Sequence, residues 1–305
     1  MSLLPRRDPS SSLRPWVSVL RHRGRGLTAA VFIAPMLIFI SVFSYYPAVR
    51  ALIGAFTAWD GFNAPSFVGF RNFIELVHDP VFIASLWHVL IWVMVAIPLA
   101  LFPAFAVAEL IFHLKRRRQQ YWYRTLFIVP MVLPGVVPIL IWEFGFYSPG
   151  GIIDRVLHSS REWLLAPHWA LAAMILMGFP WVGAFNLLIL YAGLQNIPAD
   201  ILDAAAVDGI SPFGRIWRID APLVTAQWKL LAVLAVLGSA QNLLTPLLLT
   251  GGGPLDATMT PVLYMYQSAF TSDRYGYAMA ISVLLFVAIM ALVIINLRFI
   301  QSSPD

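Results

Sequence analysis

Hydrophobic positions along this chain come in long blocks and not in alternation with polar ones. Six blocks stand out: Leu27–Val49, Ala84–Leu110, Tyr123–Phe146, His168–Gly193, Leu223–Leu249 and Tyr275–Phe299. A helix rises about 1.5 Å per residue, so each block is long enough to cross roughly 30 Å of hydrocarbon. Interior prolines do not disqualify such helices, because membrane helices tolerate them. In the third block Pro130, Pro134 and Pro138 recur every four residues and stack on one face. Each removes a backbone hydrogen bond, so that span is expected to bend or partly unwind. The pattern changes between the fourth and fifth blocks. The segment Leu194–Pro222 reads as two short helices joined by a bend. Pro198 suits a first helical position, with Asp200 in the first turn where a negative charge favours the helix dipole. Gly209 suits a left-handed stop, Ser211 a cap for the second helix, and Pro212 its first position. Ile201, Ala204, Ala205 and Asp208 fall at i, i+3, i+4 and i+7 and share one helical face. Alanines there leave room for another surface to approach the backbone.

The composition agrees with lipid as the solvent. Hydrophobic residues make up 60% of the chain and charged ones 11%, against about 25% charged in soluble domains. An ordinary soluble enzyme and a disordered chain are both excluded. There are no cysteines and only two lysines, Lys115 and Lys229, neither of which follows a glycine. Disulfides, thiolate metal sites and a phosphate-binding P-loop are therefore absent. No H-E-x-x-H pair and no G-x-S-x-G elbow occurs, so neither catalytic nor metal-ligating residues are assigned. Basic residues are placed unevenly. With the amino terminus inside, 15 of the 20 lie on the inner side, including Arg6, Arg7, the run Lys115–Arg118, Arg215 and Arg218. The positive-inside rule then puts both termini in the cytoplasm. These charges face lipid headgroups, which leaves nucleic acid a poor partner. Residues 1–26 read as a basic cytoplasmic tail with a possible short helix over Trp16–Arg23, and 300–305 as a second tail. Residues 27–83 hold the first span and an outer loop, and 84–299 the remaining core. The first span is expected to stay, since its leader is long and no A-x-A-like site follows. Glu109 and Glu143 are the acidic residues inside the spans, near the inner end of the second and the outer end of the third. They read as interfacial carboxylates or as coupling-ion ligands. With neither at mid-membrane, the motor is expected on another chain.

The string DAAAVDG at 203–209, followed by Ile219 and Pro222, resembles the E-A-A-x-x-D-G…I-x-L-P loop of the permease subunits of binding-protein-dependent ABC importers. Asp203 stands where the family has glutamate, and Ala221 where it has leucine. The resemblance implies an all-α membrane protein with six transmembrane helices in the type I importer permease fold. It also implies that Asp203, Ala204, Ala205, Asp208, Gly209, Ile219 and Pro222 form a coupling segment seated on a separate ATPase. AGLQNIPAD at 192–200, FVGFRNF at 67–73 and LLTGGGP at 248–254 are similar to the carbohydrate branch of that family. The implied partners are a second, related permease subunit, two ATPase subunits carrying ATP and Mg, and an extracytoplasmic solute-binding protein. No cofactor is expected on this chain, and the implied place is a bacterial cytoplasmic membrane.

A polar solute crossing lipid must trade water for polar side chains, and a sugar also stacks on aromatic rings. Trp181, Phe185 and Asn186 in the fourth block and Ser239, Gln241, Asn242 and Thr245 in the fifth are the residues of those types. By resemblance Asn242 and Ser239 fall at or near sugar-contacting positions, and Phe185 matches an aromatic contact. The alternative is that these polar groups glue helices together. The outer-loop aromatics Phe56, Trp59, Phe62 and Phe67, an expected Arg71–Glu75 i,i+4 pair, and the region Thr258–Phe270 are read as interfacial anchors or a platform for the binding protein. A stand-alone secondary carrier and, further off, a membrane-embedded transferase are the competing functions. The first wants a mid-membrane acidic pair and the second a cluster of His, Asp and Glu at one interface.

Overall fold

The computed structural model describes residues 30–179 and 182–300, with side chains to 294. The basic tail, the short helix expected at Trp16–Arg23, Trp181 and residues 301–305 lie outside the described residues. The chain divides into two compact units, residues 1–53 and 54–305. In the first, α1 (Ala30–Gly54 as a whole helix) is apolar along its length, and its side chains are not buried within the unit. A π-helical turn, Ser41–Tyr45, interrupts it just ahead of Pro47, whose missing N–H cannot continue the ladder.

The second unit opens with a two-stranded hairpin, β1 (Thr57–Ala58) and β2 (Ser66–Phe67), antiparallel with Thr57 opposite Phe67. The short α2 (Arg71–Leu76) follows. Then α3 (Pro80–Phe112) runs 33 residues, about 50 Å of helix. Its start is specified locally: the Asp79 carboxylate accepts the Val81 and Phe82 N–H groups, and Pro80 takes the first position. Around α3 stand helices that are broken. The expected third span is α4 (Arg117–Ile128), a 3₁₀ turn at Val129–Val132 and α5 (Val136–Ile141), prolonged by a π turn to Phe146. Its two halves meet at 87°. Leu133 is extended, as the residue before Pro134 must be, so the bend expected from the three prolines is present. A short α6 (Ile152–Leu157) leads to the fourth block.

That block is not one helix. Within the described residues α7 (Pro167–Leu176) stops at an extended Met177, and α8 (Ala184–Gln195) begins after an extended Gly183. Gly178 between them takes a positive φ of 90° that only glycine adopts readily. The polar loop forms α9 (Ala199–Val207) and α10 (Pro212–Arg215), which continues in a π turn and one more helical turn to Leu223. The fifth block is also interrupted: α11 (Thr225–Ala240) and α12 (Leu244–Leu249) are separated at Gln241–Leu243. The last helices are α13 (Pro261–Phe270) and α14 (Tyr275–Ile300). Among the described residues three helices are thus long and apolar enough to cross a membrane, and up to six spans are counted if each bent pair is one.

Three apolar clusters hold this unit together. One gathers Leu101–Ile111 of α3, Leu187–Leu194 of α8, and Val224 and Leu231. A second joins Trp92, Ile139, Tyr147, Ala173, Met174 and Leu249, so the far halves of all three interrupted spans meet near Trp92. A third, Ala55, Leu76, Phe82, Tyr277, Ala280 and Ile281, closes the amino-terminal end of α3. Measured along α3, the first two clusters change over between Ala96 and Ile97.

Candidate functional site

The loop between α8 and α11 is built almost entirely by local rules. Pro198 caps α9 and does not occupy its first helical position, one residue short of expectation. At the other end the Ile210 N–H reaches the Ala205 carbonyl (3.1 Å) and the Gly209 N–H the Ala206 carbonyl (3.2 Å), with Gly209 at φ +66°. This is the double bond of a left-handed helix stop. Ser211 then accepts the Gly214 N–H at 3.1 Å and Pro212 starts α10. The expected shared face is rotated. Ala205 is buried and Leu202 packs on the first cluster, whereas Asp200, Asp203, Ala204, Val207 and Asp208 are exposed, Val207 to 88%. The outward stripe therefore runs 200–203–204–207–208, and Ala205 belongs to the inward one. Ile219 is half-buried, Pro222 and Gly209 are exposed, and Ala221 packs against the first cluster in place of a leucine. The π turn Ile216–Asp220 ends just ahead of Pro222, and the chain bends by 69° at the fully buried Val224.

Beneath this loop lies a set of charges that the sequence did not reveal as a group. Asp220 is fully buried and accepts the Arg215 Nε–H at 3.0 Å, leaving its other oxygen without a partner. Glu109, near the end of α3, is 3% exposed and neither carboxylate oxygen has a hydrogen-bond donor. His113 Nδ1 is 2.8 Å from the Glu109 carbonyl and 3.4 Å from its Oε2. Glu109 is thus buried against the loop. Ligand-type atoms of Glu109, His113 and Asp220 lie within 4.8 Å of one another. The Arg215 guanidinium already supplies a positive charge to Asp220 there. Glu143, the other acidic residue in a span, is half-buried in the π turn at the end of α5.

The solute candidates sit where spans are interrupted. Asn242 lies in the break of the fifth block, and its Oδ1 accepts the Thr245 N–H at 3.0 Å, so it caps the half-helix that follows. Ser239 is half-buried, Gln241 exposed and Thr245 buried. Asn186 reaches the Ala100 carbonyl of α3 at 3.5 Å, an interhelical contact, and Phe185 beside it is 47% exposed. Ala100 lies close to the changeover between the two clusters on α3. Irregular backbone and polar groups at that level, between two apolar cores, are the arrangement by which membrane transporters form a solute site from half-helices.

At the other end of α3 the Asp79 carboxylate accepts the Tyr264 and Tyr277 hydroxyls, each at 2.5 Å, besides capping α3. Burial opposes its charge, but these donors outweigh it and hold the carboxyl below the usual carboxylate range. Burial, then the nearby Asp79, pushes Tyr264 up to about 12. Glu75 pairs with Arg274 at 2.6 Å and not with Arg71, because the six-residue α2 ends facing the start of α14. Phe56 packs with Phe70 and Phe73, Trp59 with Tyr275, and Phe62 and Phe67 stand exposed. Within the region Thr258–Phe270, Thr258, Thr260 and Leu263 are buried.

Comparison with known proteins decides which class of machine this is. The family described as "Binding-protein-dependent transport system inner membrane component" matches residues 96–302. The chain belongs to this family. The matched residues contain all three interrupted spans and the whole loop between α8 and α11. Among similar permeases, the sulfoquinovosyl glycerol transport system permease protein SmoG of Agrobacterium fabrum is 29% identical, over 92% of each chain. The sn-glycerol-3-phosphate transport system permease protein UgpA of Shigella flexneri is 30% identical, over 90% of this chain and 94% of its own. A solved bacterial ABC transporter involved in import of the acidic polysaccharide alginate superposes with a TM-score of 0.80 at 19% identity, over 94% of this permease and 100% of that chain. The permease is therefore a multi-pass membrane protein with the type I importer fold.

Proposed function

We propose that this permease forms half of the pathway of a carbohydrate or polyol importer in a bacterial cytoplasmic membrane. ATP is hydrolysed with Mg on two separate ATPase subunits, solute arrives on an extracytoplasmic binding protein, and a second, related permease supplies the other half. The observation that carries the reading is the exposed stripe Asp200–Asp203–Ala204–Val207–Asp208 on a helix whose other side packs on the core through Leu202 and buries Ala205. Small and acidic side chains on a firmly based helix suit insertion into a groove of another subunit. The basic run Lys115–Arg118 follows the same end of α3 that meets this loop, which supports an inner-side assignment for the loop and for both termini. The substrate class is supported by relatives named for sulfoquinovosyl glycerol and glycerol phosphate and by the alginate importer. The cluster a transferase would want is Glu109, His113 and Asp220, but the cavity that Glu109 and His113 line is otherwise walled by apolar and aromatic side chains such as Phe102, Phe105, Leu110, Phe213 and Trp217, which does not suit a polar group donor. A stand-alone carrier would not need the exposed stripe.

The test is charge reversal on the stripe. Asp203→Lys is expected to lower co-purification of the ATPase subunits at least tenfold while leaving the second permease bound, read by pull-down and mass identification. Undiminished ATPase recovery and uptake would remove the docking assignment.

A further inference from the structure

The joint between α3 and the docking loop holds two buried carboxylates and one guanidinium, and they are divided unequally. Arg215 gives its Nε–H to Asp220, which lies on its own loop segment, and its guanidinium sits 5.7 Å from the Phe112 ring of α3. Glu109, on α3, has no donor to either oxygen although it is 3% exposed. His113 has its Nδ1 against the Glu109 main-chain carbonyl, so that nitrogen serves the backbone first. A buried carboxylate without a donor disfavours the conformation that leaves it so. An arginine fork carries five donors, and the bond to Asp220 uses only the Nε–H of Arg215, so the means to satisfy Glu109 is already at the joint.

We propose that Arg215 is a partner-switching residue: it holds Asp220 in the conformation seen here and passes to Glu109 when the docking loop is displaced against α3. Each conformation then leaves one carboxylate short of a partner. Neither is strongly preferred, and the joint is a two-state element that a modest push from an ATPase can bias. Glu109 and Asp220 are positioning residues for the transport cycle in this account, which rests on the docking reading of the loop. The groups that face the joint are Glu109 and His113 from α3 and Arg215 and Asp220 from the loop segment.

The test uses the assembled transporter with its ATPase subunits, in detergent for thermal melting and in vesicles for uptake and hydrolysis. Glu109→Gln removes the unpaired charge from the present conformation and replaces the charged acceptor of the other with a weaker, neutral one. The complex is expected to melt higher and to import about tenfold more slowly. Asp220→Asn does the reverse: a lower melting temperature and faster ATP hydrolysis without solute. Opposite signs from two neighbouring carboxylates are what a merely structural cluster would not produce. Melting shifts of the same sign in both variants would overturn the switch. So would Glu109→Gln importing at the parental rate, which would mean an idle, uncharged side chain. So would manganese or zinc raising the parental melting temperature but neither variant's, which would make the cluster a metal site. ATPase co-purification is scored in the same preparations and is expected unchanged. The docking reading itself falls on Asp203→Lys alone, so the two failures are distinguishable.

Discussion

Gly209 offers the sharpest test of the loop's construction, because its role depends on one dihedral angle. It holds φ +66°, its side is open with nothing within 4 Å of an added Cβ, and its N–H closes α9 on Ala206. Gly209→Ala therefore meets no clash, and its whole cost is the left-handed backbone, about 1–2 kcal/mol. Gly209→Asn costs less, since asparagine visits that region more readily. Gly209→Pro cannot reach a positive φ at all and deletes the N–H that bonds Ala206, so it costs about 3 kcal/mol or more. At 1.4 kcal/mol per decade, the fraction of loops with an intact α9 end falls by roughly 5–30-fold for alanine and more than 100-fold for proline, where that end is marginal. The expected order in ATP-driven uptake and in ATPase co-purification is glycine, asparagine, alanine, proline, with near-normal recovery of the second permease throughout. Asparagine and alanine behaving alike, or proline transporting normally, would refute the argument from φ.

Two further outcomes are expected. Asn242→Ala removes the cap on Thr245, a cost of about 1 kcal/mol, and should cut uptake several-fold with assembly intact; Asn242→Asp keeps the cap, so recovery of uptake in that variant would reduce Asn242 to a structural role. Asp79→Asn should lower the melting temperature by a few degrees at neutral pH. Since the folded carboxyl lies below its ordinary value of 3.8, its contribution is complete above about pH 4 and is lost as the pH falls through the folded value; melting curves of parent and variant should converge in acid, and a gap that persists there would contradict the clamp.

What the sequence shows most clearly is what is decided within a few residues. Pro134 forces Leu133 to be extended, Gly209 stops α9, and Ser211 with Pro212 starts α10, and each can be read from its neighbours. Spacing alone groups Ile201, Ala204, Ala205 and Asp208, yet it cannot say which side of α9 meets the chain's own core. That choice depends on Leu202 reaching the cluster around α3 and α8. Hydropathy treats an apolar run as a single helix, so the interruptions after Leu176 and at Gln241–Leu243 go unseen, although Gly178 and Asn242 mark the places. Pairings across the chain are the least legible. Glu75 has Arg71 at helical distance but is turned toward Arg274, and Glu109 meets Asp220 only after two spans and a loop have folded between them. The Asp79 clamp was half-visible, since an aspartate before Pro80 is a cap signal, but its tyrosine partners lie on α13 and α14.

The construction of the loop also constrains how a push on it is felt. Its exposed stripe is backed by Leu202, its second half by Ile216 and Ala221, and its exit by Val224, and all of these pack on the cluster that holds α3 and α8, while Ala205 on the same inward side is buried. Close-packed interiors resist continuous deformation, and they respond by moving as a body or by passing to a second packing. A force on Asp203 and Val207 cannot therefore be absorbed by the loop as slack; it must shift α11 at the 69° bend or slide the loop over the end of α3. α11 leads to the break at Gln241–Asn242, and α3 carries the Ala100 carbonyl that Asn186 reaches. Either movement arrives at the level where the spans are interrupted, the level of the candidate solute residues Asn186 and Asn242.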